Sequence, residues 1–261
     1  MRTTLQVYLA NSALLTLDCG LKECLNLIHN EDDFRDFVLG FAAKMPKEKP
    51  REEIAYEANA AINPYFGVSL DVVIARDGAP IPSILTKCAN TVEQYGMNIE
   101  GIYRLSRSAS SMNKLKQAFD LDPRNVILSS YTSVEDVNCV ASLLKQFFRE
   151  LPDPLLTKTL YRDFIDAAKL SDDIRRRDSI HSLINRLDDN NYTTLRALVF
   201  HLDRIAKHEQ TNRMPISNLA IVWAPNLMNS EDFSAAVGDS AWQNRVIETI
   251  IVNCRGIFDE E

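Results

Sequence analysis

The chain has 261 residues, of which 46% are hydrophobic and 25% are charged. This composition predicts a globular protein with a core of its own, and it excludes a disordered or collagen-like chain. The 29 Lys and Arg residues against 36 Asp and Glu give a net charge of −7, which argues against general affinity for nucleic acid or anionic membranes.

The five cysteines are scattered along the chain and form no CxxC pair: Cys19, Cys24, Cys88, Cys139 and Cys254. Their odd number and wide spacing favour reduced thiols over a disulfide framework or a zinc site. The chain also lacks an apolar run of about 18 residues and a signal-peptide cleavage pattern. We therefore expect a cytoplasmic protein that does not insert into a membrane.

The first 58 residues are predicted to form a short helical extension and a linker. Residues 46–57 read PKEKPREEIAYE, and this charged, proline-containing stretch is typical of a linker. Upstream of it, Leu21, Leu25 and Ile28 fall at helical spacing. A segment this short buries little apolar surface by itself, so it is compatible with the end of a larger upstream domain. The main domain is expected at residues 59–261.

From Ile81 onward, helical periodicity is nearly continuous, which predicts an all-α bundle. A first helix begins near Pro82 and ends at Gly96. The next begins near Ser108 and stops before Pro123. A third helix spans residues 135–150, with a buried stripe formed by Val137, Val140, Leu144, Phe147 and Phe148. Further helices are predicted at residues 159–169, 172–186, 191–208, 215–224 and 233–252.

Common catalytic motifs are absent from the sequence, which contains no GxGxxG, Walker or GxSxG pattern. The four histidines lack metal-site spacing and are expected to be core or surface residues: His29, His181, His201 and His208. A thiol or histidine enzyme therefore has no spacing in its favour. Clustered aspartates such as Asp188 and Asp189 are expected to serve helix starts.

Two groups of cations stand out. Residues 100–106 read EGIYRLS and place a single arginine, Arg104, in a loop between two predicted helices. Lys145 and Arg149 are four residues apart, so one helix face presents two cations. A solvated helix face is the alternative interpretation of that pair.

Four segments occur in a fixed order: GIYRLS, DVNCVASLLKQFFRELPDPLL, LDDNNYTTLRALVFHLDRI and NRMPISNLAIVWAPNLM. With this order and spacing, the chain resembles the GTPase-activating protein domain for Rho-family GTPases (the RhoGAP domain) from residue 66 to about residue 257. The resemblance implies a single all-helical domain that binds a Rho-, Rac- or Cdc-type small GTPase in its GTP-bound state. Such a domain has no substrate chemistry and no cofactor of its own, because Mg²⁺ and GTP are bound by the partner.

The resemblance also implies site residues. Arg104 matches the arginine finger that the family inserts into the nucleotide site of the GTPase. Lys145 matches a lysine that contacts the partner, and Arg149 matches an arginine that braces the finger loop. Asn226 matches an asparagine beside the finger, although a turn residue after Pro225 is an alternative. Three further matching asparagines mainly hold the family fold: Asn191, Asn212 and Asn218.

The sequence departs from the family pattern in places. Arg107 stands where many relatives have glycine, so it is an alternative finger, although the register with Gly101 favours Arg104. Asn138 replaces a common histidine, and residues 187–191 lack the proline of the usual LPxxN. The alternative function is a docking module that binds a GTPase without accelerating hydrolysis. Inactive relatives usually lack the finger arginine, which favours activation here.

The segment Gly20–Ala42 resembles the stretch that joins a membrane-bending F-BAR domain to the activating domain in certain fungal regulators. The resemblance implies that recruitment to the plasma membrane or cell cortex would depend on an upstream domain.

Overall fold

A computed structural model describes residues 64–105, 109–229 and 238–258 of the chain. All regular secondary structure within these ranges is helical, which confirms the predicted all-α class. The helices are α1 (Leu70–Asp77), α2 (Ser83–Tyr95), α3 (Ala109–Leu121), α4 (Val134–Arg149), α5 (Tyr161–Ala168), α6 (Asp173–Ile184), α7 (Asp189–Ala206), α8 (Glu209–Asn212), α9 (Ile216–Leu227), α10 (Ser240–Val252) and α11 (Cys254–Ile257). The predicted N-terminal extension, residues 1–58, lies outside the described residues and stays a prediction.

Helix α4 occupies the centre of the bundle, where it packs against α2, α3 and α9. Its predicted apolar stripe is buried at all five positions. Helix α9 packs in turn on α10, and α7 contacts α2, α9 and α10. Because one helix carries buried side chains toward three neighbours, small changes in its position are resisted from several sides.

The close approach of α2 and α4 depends on Gly96, the residue that ends α2 as predicted. A Cβ atom at this position would lie 2.7 Å from Cγ1 of Val137 and 2.9 Å from the carbonyl oxygen of Val92. Any side chain would therefore force the end of α2 away from α4. This contact fixes where the next loop leaves the bundle.

Three helices were not predicted from the sequence: α1, α8 and α11. The end of one predicted helix was also wrong. Helix α9 continues through Pro225 to Leu227 instead of ending before the proline. Pro225 removes one backbone N–H donor, and this loss falls in the last turn, where one missing hydrogen bond does not unwind the helix. The end of α9 is held from outside, because the Leu156 N–H donates to the Leu227 carbonyl oxygen (3.1 Å).

Cys88, Cys139 and Cys254 are buried free thiols, whereas Cys19 and Cys24 lie outside the described residues. The predicted helix start near Ser108 also lies outside them, as does the predicted start of the last helix at residue 233. Within the ranges that the structure describes, no helix is both long enough and apolar enough to cross a bilayer.

Candidate functional site

The segment 96–105, here called the Arg104 loop, follows α2 and carries the arginine singled out in the sequence. The Gly101 N–H donates to the carbonyl oxygen of Asn212 (2.8 Å), which ties the loop to the end of α8. The Arg104 N–H donates to the carbonyl oxygen of Gly101 (2.8 Å) and closes a tight turn with Ile102 and Tyr103 at its centre. The Arg104 side chain itself is exposed.

Tyr103 adopts a left-handed backbone conformation, with φ of 69°. Glycine or asparagine usually occupies such a position in a turn, because a Cβ atom disfavours positive φ. Tyr103 is nevertheless completely buried, and its ring packs edge-on against Trp223 of α9 at 5.1 Å between centroids. Buried side-chain contacts therefore hold a strained backbone immediately before the exposed arginine.

Asn212 supports the start of the loop from α8. Its buried amide nitrogen donates to the carbonyl oxygens of Met97 (3.0 Å) and Ile205 (2.9 Å). Its side-chain oxygen accepts from the Met214 N–H (2.8 Å). Three of its hydrogen bonds thus join the Arg104 loop, α7 and the segment before α9.

Lys145 of α4 contacts the same loop, because its ammonium group donates a hydrogen bond to the carbonyl oxygen of Tyr103. Burial, and secondly the charge of Arg149, lowers the pKa of Lys145. Arg149 is exposed one helical turn further on, and its side chain makes no hydrogen bond to any residue in the described part. The structure therefore places Lys145 against the loop, while the bracing role of Arg149 stays a prediction.

The carboxylate of Glu150, at the end of α4, does not neutralise Arg104, Lys145 or Arg149. Glu150 accepts from Lys116 (2.7 Å) and from the amide of Gln146 (2.6 Å). Among residues 64–105, 109–229 and 238–258, none of Arg104, Lys145 and Arg149 forms an ion pair. The site is thus locally positive on a chain of net negative charge, which suits an anionic group on a partner.

Asn226 lies on α9 and is 7% exposed. Its amide nitrogen donates to the Val222 carbonyl oxygen of its own helix (2.7 Å). The same helix carries Trp223, whose indole ring contacts both Tyr103 and Phe148 of α4. The centroids of Trp223 and Phe148 are 5.9 Å apart. This aromatic cluster joins the Arg104 loop, α4 and α9, the three elements that carry the predicted site residues.

A buried chain of hydrogen bonds that begins at Tyr103 was not predicted from the sequence. The Tyr103 hydroxyl lies 2.5 Å from Nε2 of His201, and Nδ1 of His201 lies 2.6 Å from the Glu93 carboxylate. Arg204 donates to the same carboxylate oxygen (2.6 Å). A signal was available, because His201 occupies the apolar face of its helix, and a buried imidazole needs polar partners.

No group of three or more His, Cys, Asp or Glu residues in the described part of the chain could hold a metal ion. Two shallow depressions of about 370 and 610 Å³ are lined by residues on and beside α5, α6 and α10. Neither includes a residue of the Arg104 loop or of α4. Because its side chain is exposed, Arg104 is accessible to another macromolecule.

Comparisons with known proteins identify the family of the chain. A family model described as the RhoGAP domain matches residues 82–232, more than half of the chain. A probable Rho-GTPase-activating protein 7 of Schizosaccharomyces pombe is 40% identical over 194 residues, which cover 74% of this chain and 27% of that protein. Rho GTPase-activating protein 30 of Homo sapiens is 39% identical over 72% of this chain and 17% of its own length. The chain thus spans a minor part of these relatives.

Solved structures give the same result. The crystal structure of human Rho GTPase activating protein 15 superposes with a TM-score of 0.71 at 29% identity, over 75% of this chain and 92% of that chain. The BH domain from GRAF, the GTPase regulator associated with focal adhesion kinase, gives a TM-score of 0.61 at 36% identity, over 68% of this chain and 94% of that one. With the matching family model and the shared helical fold, the chain belongs to the RhoGAP domain family.

Proposed function

We propose that this chain activates GTP hydrolysis by a Rho-family small GTPase and supplies Arg104 in trans as an arginine finger. Membership of the family supports the activity. The observation that carries the assignment of Arg104 is the contrast between its exposed side chain and the buried, hydrogen-bonded backbone immediately before it. A guanidinium held in this way can reach into a partner from a fixed base.

The proposed chemistry follows from charge. As GTP is hydrolysed, negative charge spreads over the transferred phosphoryl group and the leaving oxygen. A planar guanidinium with several fixed donors binds that distribution more strongly in the transition state than in the ground state. An arginine finger supplied in trans increases the rate on the order of 10³- to 10⁵-fold, which corresponds to roughly 4 to 7 kcal/mol of barrier.

In this proposal, GTP hydrolysis takes place in the active site of the partner GTPase. The partner binds GTP and Mg²⁺, so this chain needs no cofactor of its own and acts as an activator without substrate chemistry. The GTP-bound state is the proposed binding form, because only that state presents the γ-phosphate to Arg104. We further propose that the chain acts in the cytoplasm, with any recruitment to a membrane depending on another segment of a longer protein.

The other site residues have supporting roles in the proposal. Lys145 contacts the partner and also holds the carbonyl oxygen of Tyr103, as its hydrogen bond supports. Arg149 braces the finger loop in the complex. Asn226 offers the remaining hydrogen-bonding capacity of its amide across the interface.

The test is phosphate release from GTP-loaded Rho-, Rac- and Cdc-type GTPases, with wild type and Arg104→Ala measured over a range of activator concentrations. We expect wild type to stimulate at least one GTPase. Arg104→Ala should lower the maximal stimulated rate by about 10³-fold or more, with little change in the half-maximal concentration, because the finger acts in the transition state.

Two arginine variants serve as controls. Arg175→Ala removes an exposed arginine on α6 and should leave the stimulated rate unchanged. Arg107→Ala separates the two possible registers: loss of stimulation there, with full activity in Arg104→Ala, would assign the finger to Arg107. Binding of the GTP form without any stimulation by wild type would instead establish the docking module.

A further inference from the structure

The residue before Arg104 sets where the finger points. Tyr103 contributes the last buried backbone before the exposed arginine, and its positive φ determines the direction in which the chain leaves the turn. A tyrosine does not choose this conformation by itself. Contacts of its side chain must therefore hold it there.

Those contacts form a continuous path from the turn to the surface. The Tyr103 ring lies against Trp223 and His201, with centroids 5.1 and 5.8 Å away. Its hydroxyl reaches His201, and His201 reaches Glu93. The path therefore connects the loop with α7 and then with α2, the helix from which the loop emerges. Arg204 closes the outer end at Glu93.

The surroundings of each group decide which atom donates each hydrogen bond along this path. Burial raises the pKa of the Tyr103 phenol well above its usual value, so the hydroxyl keeps its proton. Burial also lowers the pKa of His201 despite the nearby carboxylate, so the imidazole is neutral. One arrangement satisfies every group: Tyr103 donates to Nε2 of His201, and Nδ1–H of His201 donates to Glu93.

We infer that Tyr103, His201 and Glu93 are positioning residues that hold the Tyr103 turn in the one orientation from which Arg104 enters the partner site. The inference rests on the proposed function of Arg104. Glu93 fixes the tautomer of His201, and the imidazole then fixes the position of the Tyr103 hydroxyl. The anchored phenol in turn holds the backbone conformation of Tyr103 immediately before the finger. A finger with a looser base spends less time in the productive geometry, which lowers the maximal rate without weakening partner binding.

The test compares conservative variants in the phosphate-release assay at saturating and subsaturating activator. Tyr103→Phe removes only the hydroxyl and keeps the buried ring. We expect it to lower the maximal stimulated rate about tenfold, with the half-maximal concentration unchanged. Tyr161→Phe is the matched control, because it also removes a buried phenol hydroxyl, on α5, where the group is bonded to Gln243 (2.9 Å). That control should keep the wild-type maximal rate.

Two further comparisons separate positioning from general stability. In an Arg104→Ala background, Tyr103→Phe should produce no additional loss, because the hydroxyl acts only through Arg104. Glu93→Ala should lower the maximal rate about threefold. Glu93→Gln should keep most of the wild-type rate, because the glutamine side chain still accepts a hydrogen bond from Nδ1–H of His201. A mere ion-pair role for Glu93 would make the two variants equally slow.

The outcomes are distinct. A wild-type rate in Tyr103→Phe, or an equal loss in Tyr161→Phe, would overturn the inference while leaving the proposed function intact. An additional loss in the Arg104→Ala background would also overturn it. Failure of wild type to stimulate any GTPase would overturn the proposed function and the inference together. Thermal unfolding of each variant verifies that the compared proteins are folded.

Discussion

The charge state of Glu93 depends on the fold. Burial opposes its ionisation, but hydrogen bonds from His201 and Arg204 outweigh that effect and lower its pKa to about 2. A carboxyl whose pKa is depressed by folding stabilises the protein above its unfolded pKa, near 4.5. That contribution is lost as the pH falls through the folded value.

We therefore expect Glu93→Gln to flatten the acid side of the stability curve. Between about pH 5 and pH 2.5, wild type should lose about 1 to 2 kcal/mol more unfolding free energy than the variant, a range reduced for partial solvent screening. Urea unfolding followed by circular dichroism at several pH values measures this difference. Urea is uncharged, so it does not screen the charge interactions of Glu93 as a salt would. Parallel pH profiles for the two proteins would contradict the assignment.

At the scale of single residues, the sequence could predict the position of a residue in a local motif, but it could not predict which distant residues the fold brings into contact. Arg104 stands in a short segment whose glycine and apolar neighbours indicate a loop, so its exposed position was predictable. Tyr103 and His201 are 98 positions apart, and His201 and Glu93 are 108 apart. No local periodicity relates such residues, because only packing of the loop, α7 and α2 brings them together.

At the scale of elements, α4 shows how local chemistry fixes a helix start. The hydroxyl of Ser133 accepts from the Asp136 N–H (3.2 Å) and donates to the Asp136 carboxylate (2.7 Å). This reciprocal arrangement satisfies one of the otherwise unpaired N–H groups of the first turn. The acidic first turn, with Glu135 and Asp136, also favours the helix dipole.

Ser133→Ala should lower the unfolding free energy by about 1 kcal/mol, which corresponds to about 2 to 4 °C in melting temperature. Ser69 provides a matched control, because it is the exposed N-cap residue of α1 but its side chain makes no capping hydrogen bond. Ser69→Ala should therefore change stability by only a few tenths of a kcal/mol. Equal effects of the two substitutions in thermal unfolding would refute the capping argument.

The helix bounds illustrate what periodicity captures. The predicted bounds of α4, residues 135–150, differ from the observed ones by one residue at each end, because an amphipathic stripe and the prolines that follow the helix define it locally. The end of α9 was not predictable in the same way, because tertiary contacts carry that helix past Pro225. Helix α1 has only Leu70 and Val73 buried, so its sequence offers a weak amphipathic signal.

At the scale of the whole molecule, the continuous hydrophobic core includes Cys88 and Cys254, and Cys139 is buried beside it. Cys88 is completely buried, and burial raises the pKa of its thiol well above the usual value. Burial likewise raises the pKa of Cys139 and of Cys254. Since the thiolate is the reactive form, all three should be inert while the fold persists.

Alkylation with iodoacetamide at pH 8, read peptide by peptide in a mass spectrometer, tests this expectation. The three thiols should remain unmodified in the native protein and react once urea unfolds it, because each thiol is buried in the folded state. Urea-unfolded protein provides the control for intrinsic reactivity. Rapid native labelling of one of the three would reveal a local opening of its helix.

The left-handed turn at Tyr103 affects how readily a partner protein can dock. Because the main chain of residues 96–105 is already ordered, docking has to immobilise mainly the Arg104 side chain, at an entropy cost of about 2 kcal/mol. Ordering a flexible loop would add roughly 1 to 2 kcal/mol for each residue. Under the proposed function, a preformed base therefore permits rigid docking and rapid association with the GTPase, because little main-chain entropy is lost when the complex forms.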